Sequence, residues 1–148
     1  MTPLPSAIAD ATTSDAALAA IVRHMLADSG TLHFLGADNL LHLNAVNGPL
    51  PEPLLQKIRV IPVGKGMAGA CAAQNEPVTW CNLSKDATGV VQPGARSSGM
   101  EGAIVVPVRA GGKLVGTLGV ANHGERVFSP EEVAFLEACA GSLAHFRD

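Results

Sequence analysis

The chain has 148 residues, of which 47% are hydrophobic and 16% are charged, and its formal net charge at pH 7 is −3. This length predicts one domain with a sizeable core, and no apolar run approaches the roughly 18 residues of a membrane span, which argues against a membrane partner. The ten Lys and Arg residues are scattered and form no basic stripe, which argues against nucleic acid as a partner.

The first part of the chain predicts a flexible segment, a helix and a hairpin. Residues 1–13 are rich in Pro, Thr, Ser and Ala and are expected to be flexible, with the domain occupying residues 14–148. From Thr31, two short apolar runs flank the turn-forming sequence Gly-Ala-Asp-Asn, which predicts a β-hairpin. Between the flexible segment and this hairpin, a helix is expected to begin at Ser14 and to end before Gly30. Its apolar residues recur with the period of one helical face and are Leu18, Ile21, Val22, Met25 and Leu26.

The middle of the chain predicts short elements followed by a long loop. A short helix through Leu54 to Ile58 and a brief strand come first. The sequence from Gly64 to Gln74 contains no β-branched residue and is rich in alanine, which favours a helix at about Met67–Gln74. The sequence VTWCNL has the composition of a strand. The polar stretch from Ser84 to Glu101 has no clear period and is predicted to be a loop.

The last part predicts a second hairpin and a final helix. In GAIVVPVRAGGKLVGTLGVAN, two apolar runs meet at the turn sequence Ala-Gly-Gly-Lys, and their nearly continuous apolar character is typical of strands covered on both faces. Ser129, Pro130 and Glu132 have the spacing of a helix N-terminus with a capping box. The inward stripe of this helix is predicted to contain Val133, Leu136, Ala140, Leu143 and Phe146, with Cys139 on its flank. The order of elements predicts an α+β domain whose antiparallel sheet lies between helices.

The two strands of this second hairpin differ in side-chain size between their faces. Side chains alternate across a strand, so every second residue shares a face. One face is expected to carry the small set Ala103, Val105, Thr117, Gly119 and Ala121. The other is expected to carry the bulky set Ile104, Val106, Val108, Leu118 and Val120. The asymmetry indicates room beside the small set, either for an apolar ligand or for the alanine-rich helix.

Three segments in this order resemble the GAF domain, a small-molecule-sensing relative of the PAS fold. They are IPVGKGMAGACAAQNEPV, GAIVVPVRAGGKLVGTLGVAN and FSPEEVAFLEACAGSLA, and the resemblance covers nearly the whole chain after residue 14. It implies a central antiparallel sheet with the first and last helices on one face. On the other face, it implies a ligand pocket roofed by the short helices and the long loop. A free-standing GAF domain resembles either a sensor or an enzyme of the free methionine-(R)-sulfoxide reductase type.

The residues that the reductase pattern requires are replaced in this chain. Ala68 stands where that pattern has a cysteine, and the catalytic cysteine of its loop would fall at about Arg96. Ala103, Gly119 and Ala121 stand where the pattern has carboxylates that bind the substrate ammonium. Losing several charge-assisted hydrogen bonds, each contributing roughly 1.5–3 kcal/mol, would remove most of the affinity for a small zwitterion. The resemblance therefore favours a non-catalytic sensory or regulatory domain.

Two other functions stay open. The first is a thiol-dependent redox enzyme or sensor that uses Cys71 and Cys81, although a cysteine among alanines and a cysteine on a strand are more typical of core packing. The second is an interaction-only dimerisation domain whose pocket is filled by side chains. The three Cys residues fit a reducing compartment and no secretory signal is visible, which predicts a cytoplasmic protein. The five His residues lack metal-site spacing, so no metal is predicted, and the cofactor and ligand are left unknown.

The candidate ligand-binding residues come from the small set, from the predicted loop and from the only tryptophan. A polar loop is usually solvated, but connections longer than roughly 12–15 residues tend to be functional. Arg96 and the two serines that follow it are expected to hold an anionic or polar group of a ligand. Trp80 is expected in the core or at the rim, with stacking on a ligand as the less favoured interpretation. The full set is Trp80, Arg96, Ser97, Ser98, Glu101, Ala103, Val105, Thr117, Gly119 and Ala121.

A homodimer through the terminal helices is also predicted. Their apolar residues are expected to offer more surface than one face of the sheet covers. The residues concerned are Leu18, Val22, Met25, Leu136, Leu143 and Phe146. His33 and His42, which flank the first hairpin, are expected either to face each other across it or to be solvated.

Overall fold

A computed structural model describes residues 4–80 and 101–147 of the chain. The helices are α1 Ser6–Ala9, α2 Ser14–His24, α3 Glu52–Ile58, α4 Gly66–Gln74 and α5 Pro130–Leu143, which continues into a 3-10 turn at Ala144–Phe146. The strands are β1 Ser29–Leu35, β2 Leu40–Asn47, β3 Val60–Pro62, β4 Val78–Trp80, β5 Gly102–Ala110 and β6 Lys113–Asn122. The predicted α+β class is confirmed, and both hairpins and the helices near their predicted positions are present.

The strands form one sheet in the order β3-β2-β1-β6-β5-β4, and all neighbouring strands are antiparallel. The hairpins β1–β2 and β5–β6 meet at the centre, where β1 pairs with β6. Strands β3 and β4 lie at opposite edges, so the chain that joins them through α4 crosses one face of the sheet. Gly69 permits this crossing, since a Cβ atom there would lie 2.6 Å from the carbonyl oxygen of Pro62.

Helices α2 and α5 cover the other face, and both begin at hydrogen-bonded caps. Thr13 Oγ1 accepts a hydrogen bond from the backbone N–H of Ala16 at the start of α2. At the start of α5, Ser129 Oγ accepts from the N–H of Glu132, and the Glu132 carboxylate accepts from the N–H of Ser129. The predicted capping box is therefore confirmed. Arg126 donates to Glu132 and to Asn122 Oδ1, which ties this end of α5 to β6.

The main core lies between α2, α5 and the bulky face of the sheet. It contains Ile104, Val106, Val108, Leu118 and Val120, the five residues that the sequence assigned to one face. Cys139, predicted beside the inward stripe of α5, is fully buried in this core, whereas Val133 and Phe146 of the stripe are half-buried. Ile8 of α1 also packs here and is 2% exposed, although it lies in the segment expected to be flexible. The domain boundary at residue 14 stays a prediction.

Two expectations about the terminal helices α2 and α5 need correction. Leu26 was placed in the apolar stripe of α2, but α2 ends at His24 and Leu26 is 81% exposed, in a left-handed conformation with φ 56°. The surface expected to drive dimerisation is already covered within the chain. Five of its six residues are buried: Leu18, Val22, Met25, Leu136 and Leu143. These five residues therefore give no support to a homodimer.

The helices of residues 4–80 and 101–147 include none that combines the length and the apolar character needed to cross a membrane.

Candidate functional site

The face of the sheet opposite α2 and α5 carries the small residues that the sequence singled out. Ala103 lies directly opposite Ala121, and Val105 lies directly opposite Gly119. Directly paired residues of antiparallel strands project to the same side, so these four residues share one face. Thr117 lies opposite Pro107 and adds to it. We call this surface, with the β1 residues Thr31 and His33 that pair with Gly119 and Thr117, the small face.

Gly119 lies in the middle of the small face and has no side chain. A Cβ atom there would lie 3.3 Å from Val105 Cγ2 and 3.4 Å from Thr31 Oγ1. Two neighbouring strands thus place side chains beside a position that itself has none. Glycine weakens a strand interior and often marks a place where another group approaches the backbone closely, which is the physical reason to regard this position as the floor of a site.

Short elements approach the small face from above. Met67 at the start of α4, Leu50 and Trp80 pack around Ala103 and Ala121. Trp80 is half-buried on the edge strand β4, where it pairs with Ala103. Trp80 therefore lies at the edge of the small face and packs against Ala103.

Two partly buried hydrogen bonds from Arg109 hold the C-terminal end of α4. Asn75 caps α4 in the left-handed conformation with φ 55°. Arg109 on β5 donates from Nε to Asn75 Oδ1 at 2.9 Å and from an Nη nitrogen to the Asn75 carbonyl oxygen at 2.6 Å. Glu137 of α5 lies 3.7 Å from the same guanidinium. Arg109 therefore attaches the end of α4 to β5 through two of its donors.

His33 is a residue of this face that sequence reasoning assigned wrongly. It is 2% exposed, and its Nε2 lies 2.8 Å from the carbonyl oxygen of Ile58 at the end of α3. Burial lowers the pKa of His33 below its ordinary value, because the imidazolium form loses its hydration. Among residues 4–80 and 101–147, no group forms a hydrogen bond with its Nδ1.

The two histidines of the first hairpin do not face each other. His33 pairs with Leu43 and His42 pairs with Phe34, so the two histidines are one position apart in the ladder and project to opposite faces of the sheet. His42 is exposed and its Nε2 lies 2.9 Å from an oxygen of Asp38. A signal for the burial of His33 was present in the sequence, since Leu32 and Phe34 direct one side of β1 to the core and leave His33 on the covered opposite side.

The two described cysteines have the properties of core residues. Cys71 of α4 and Cys139 of α5 are fully buried. Burial raises the pKa of each thiol to about 12, and for Cys71 the nearby Arg109 only partly opposes this. Because the thiolate is the nucleophile, such groups are unreactive near neutral pH. Cys81, the other member of the suggested redox pair, lies outside the described residues.

The remaining predicted site residues fall into two groups. Glu101 is half-buried immediately before β5, where its backbone N–H donates to the carbonyl oxygen of Asn122 at 2.8 Å. Arg96, Ser97 and Ser98 lie outside the described residues, as does the predicted loop from residue 84 to 100. Within the two described ranges, His, Cys, Asp and Glu side chains form no cluster of three or more suited to a metal ion.

The comparisons with known proteins agree with this architecture. The sequence profile of the GAF domain matches residues 11–146, so the chain belongs to the GAF domain family. A comparison with curated protein sequences gave no significant match. The resemblance inferred from the sequence is therefore confirmed at the level of the family.

Solved structures similar to this chain include the GAF domain of a larger protein and free methionine-R-sulfoxide reductases. The GAF domain of an Acinetobacter phosphoenolpyruvate-protein phosphotransferase is 22% identical with a TM-score of 0.74, covering 95% of this chain and 81% of that chain. A free methionine-R-sulfoxide reductase from Neisseria meningitidis, solved with its substrate, is 23% identical with a TM-score of 0.74, covering 95% of this chain and 82% of that chain. The type II free methionine-R-sulfoxide reductase from Thermoplasma acidophilum is 22% identical with a TM-score of 0.73, covering 89% of this chain and 87% of that chain. At these identities the likeness establishes the fold alone.

Proposed function

We propose that this GAF domain is a non-catalytic sensory or regulatory module that binds a small molecule on the small face. The observation that carries the proposal is the pairing of Ala103 with Ala121 and of Val105 with Gly119, on the side of the sheet away from the main core. Ligand sites are concave, mostly apolar and supplied with few polar groups, and this face has that composition. The change on binding would pass through the sheet to α2 and α5, which pack on its opposite side.

The ligand is proposed to have an apolar body with at least one polar group. Ala103, Val105, Gly119 and Ala121 offer apolar contact to the body, and Trp80 at the rim offers a ring for stacking. Arg96, Ser97, Ser98 and Glu101 are proposed to hold the polar end. A zwitterionic amino acid fits this site poorly, because Ala103, Gly119 and Ala121 provide no charge for its ammonium group.

Ligand-dependent melting of the purified protein against a metabolite panel tests this proposal. A ligand at 100 times its dissociation constant should raise the free energy of unfolding by about 2.7 kcal/mol. Gly119→Val should remove this increase, because its side chain occupies the floor of the site next to Val105 and Thr31. Gly124→Val is the matched control, since a Cβ atom at Gly124 has no neighbour within 4 Å. Equal stabilisation of both variants by the same ligand would refute the proposed site.

The redox alternative receives little support from Cys71, which is buried with a raised pKa. It therefore depends on Cys81. Turnover of free methionine-(R)-sulfoxide with a thioredoxin system, lost in a Cys81→Ser variant, would favour the enzyme over the binding module. No turnover together with ligand-dependent melting would favour the binding module.

A homodimer and a cytoplasmic location stay predictions. The buried state of Leu18, Val22, Met25, Leu136 and Leu143 withdraws the apolar surface on which the dimer was argued. Sedimentation at micromolar concentrations tests the dimer, and monomers alone would reject it. Should the small face prove to be filled by side chains in a crystal structure, the interaction-only function would take precedence.

A further inference from the structure

The side chain of His33 has a defined tautomer. Its Nε2 lies 2.8 Å from the carbonyl oxygen of Ile58. A carbonyl oxygen only accepts, so Nε2 must carry a proton and donate it. In a neutral imidazole the second nitrogen is then an acceptor with a free lone pair. The contact with α3 therefore specifies that Nδ1 of neutral His33 accepts a hydrogen bond.

This acceptor is buried without a partner. In residues 4–80 and 101–147, His33 Nδ1 is the one buried side-chain nitrogen or oxygen that makes no hydrogen bond. Buried polar atoms are nearly always paired in native proteins, because an unpaired one has lost its water and gained nothing in return. The atom therefore marks a place where a hydrogen-bond donor is expected.

Protonation does not remove this requirement near neutral pH. Burial disfavours the imidazolium form of His33, and the charge of His42 on the neighbouring strand adds to this effect. His42 is itself paired with Asp38 at the surface. A protonated Nδ1 would in any case need an acceptor instead of a donor. His33 is consequently suited to recognise a neutral donor group.

The position of His33 places this acceptor on the small face. His33 lies directly opposite Thr117, and Thr31, two residues earlier on the same side of β1, lies opposite Gly119. His33 therefore lies on the same side of the sheet as Thr117 and Gly119, and its ring reaches the end of α3. A ligand atom bound over Thr117 would lie on the same face of the sheet as His33, on the neighbouring strand.

We propose that His33 Nδ1 accepts a hydrogen bond from an uncharged N–H or O–H group of the ligand, such as an amide, a hydroxyl or a ring N–H. This inference rests on the proposed ligand-binding function of the small face and adds the chemistry of one recognition point. A carboxylate or phosphate oxygen at this point is disfavoured, since it would bring its lone pairs against that of Nδ1.

Matched pairs of small probes test the inference by ¹⁵N NMR of the histidine-labelled protein. Benzamide with N,N-dimethylbenzamide, phenol with anisole, and uracil with 1,3-dimethyluracil each compare a donor with its methylated, non-donating form. At least one parent compound should shift the Nδ1 resonance of His33 and bind about tenfold more tightly than its methylated form, the value of one hydrogen bond. The methylated form should leave the Nδ1 resonance unchanged.

Two variants of His33 separate the roles of its nitrogens. His33→Gln can keep a donor for the Ile58 carbonyl while losing the acceptor at Nδ1, so we expect the preference for the parent compound to disappear. His33→Asn places an amide oxygen near the Nδ1 position and should keep part of the preference. The wild-type measurement stands by itself if either variant does not fold.

The outcomes distinguish this inference from the proposed function. Probes that perturb the amide resonances of Ala103, Gly119 and Ala121 without preference for the donor forms would overturn the role of His33 alone. Probes that perturb none of these resonances and leave His33 unchanged would overturn both. A His33→Gln protein that keeps the donor preference would also overturn the role of His33.

Discussion

Arg109 on β5 holds Asn75 at the end of α4 through two hydrogen bonds, one to its side-chain oxygen at 2.9 Å and one to its carbonyl oxygen at 2.6 Å. The carbonyl groups at the end of a helix need partners, and here a guanidinium provides them. This link attaches the helix that crosses the small face to a central hairpin. It is therefore expected to govern how firmly that helix covers the site.

Arg109→Leu should lower the free energy of unfolding by about 2 kcal/mol, because it removes both charge-assisted hydrogen bonds. Asn75→Gly should lower it by less than about 1 kcal/mol, since glycine keeps the carbonyl acceptor and adopts the left-handed conformation easily. Urea denaturation of the two variants measures the difference. An Arg109→Leu protein as stable as the parent would show that the link is not needed.

The burial of neutral His33 makes stability depend on pH. Its pKa is lowered in the folded chain, so the unfolded chain binds more protons as the pH falls through the ordinary value of 6.5. The free energy of unfolding should therefore be greatest above this pH and decline as the solution is acidified towards pH 5. His33→Gln should flatten this dependence, whereas His42→Gln, which changes an exposed histidine, should retain it.

A second group acts in a lower pH range and can be separated from His33. The backbone N–H of Ser129 and the Arg126 guanidinium lower the pKa of Glu132 from its ordinary value of 4.5. The contribution of Glu132 to stability is present above that pH and is lost only as the pH falls further.

A denaturation midpoint that stays constant between pH 7.5 and pH 5 would contradict the assignment of a buried neutral His33.

Leu26 offers a site for stabilisation. It follows the C-cap of α2 with φ 56° and is 81% exposed, so it has backbone strain without compensating burial. Leu26→Gly should raise the free energy of unfolding by about 1 kcal/mol, because glycine adopts this conformation without strain. Leu26→Ala is the control, since it shortens the side chain and keeps the strain. A thermal melt that ranks alanine above glycine would contradict this explanation.

Cys71 should behave as a core residue in thiol chemistry. In a Cys81→Ser background, native protein should react with a thiol-specific reagent only at the rate at which Cys71 and Cys139 become exposed by unfolding. The raised pKa values, about 12 for both thiols, add to their lack of access. Rapid modification of Cys71 in the folded protein at pH 7 would revive the redox hypothesis.

Much of the fold could be predicted because its signals are local. The capping box at Ser129 and the turn between β5 and β6 fix the last helix and the second hairpin from a few neighbouring residues. Helix α1 was missed because four residues show no period, although Ile8 is anchored in the core. The end of α2 was misplaced, since Leu26 continues the apolar pattern while the backbone has already left the helix.

The candidate site was predictable in part. Alternation along β5 and β6 correctly separated the small set from the bulky set, because side-chain direction follows directly from strand geometry. The role of His33 was not accessible, since it depends on the pairing of β1 with β6 and on the carbonyl of Ile58, which is 25 residues away in the chain. Non-local contacts of this kind leave no periodic trace in a sequence.

A crystal structure of the protein with the strongest stabilising member of the metabolite panel would show whether the small face is a ligand site. We predict density for that compound over Gly119, between the β5–β6 hairpin and α4, with a donor group within hydrogen-bonding distance of His33 Nδ1. A compound bound elsewhere on the domain, with the small face filled by the protein's own side chains, would rule out a ligand site on this face.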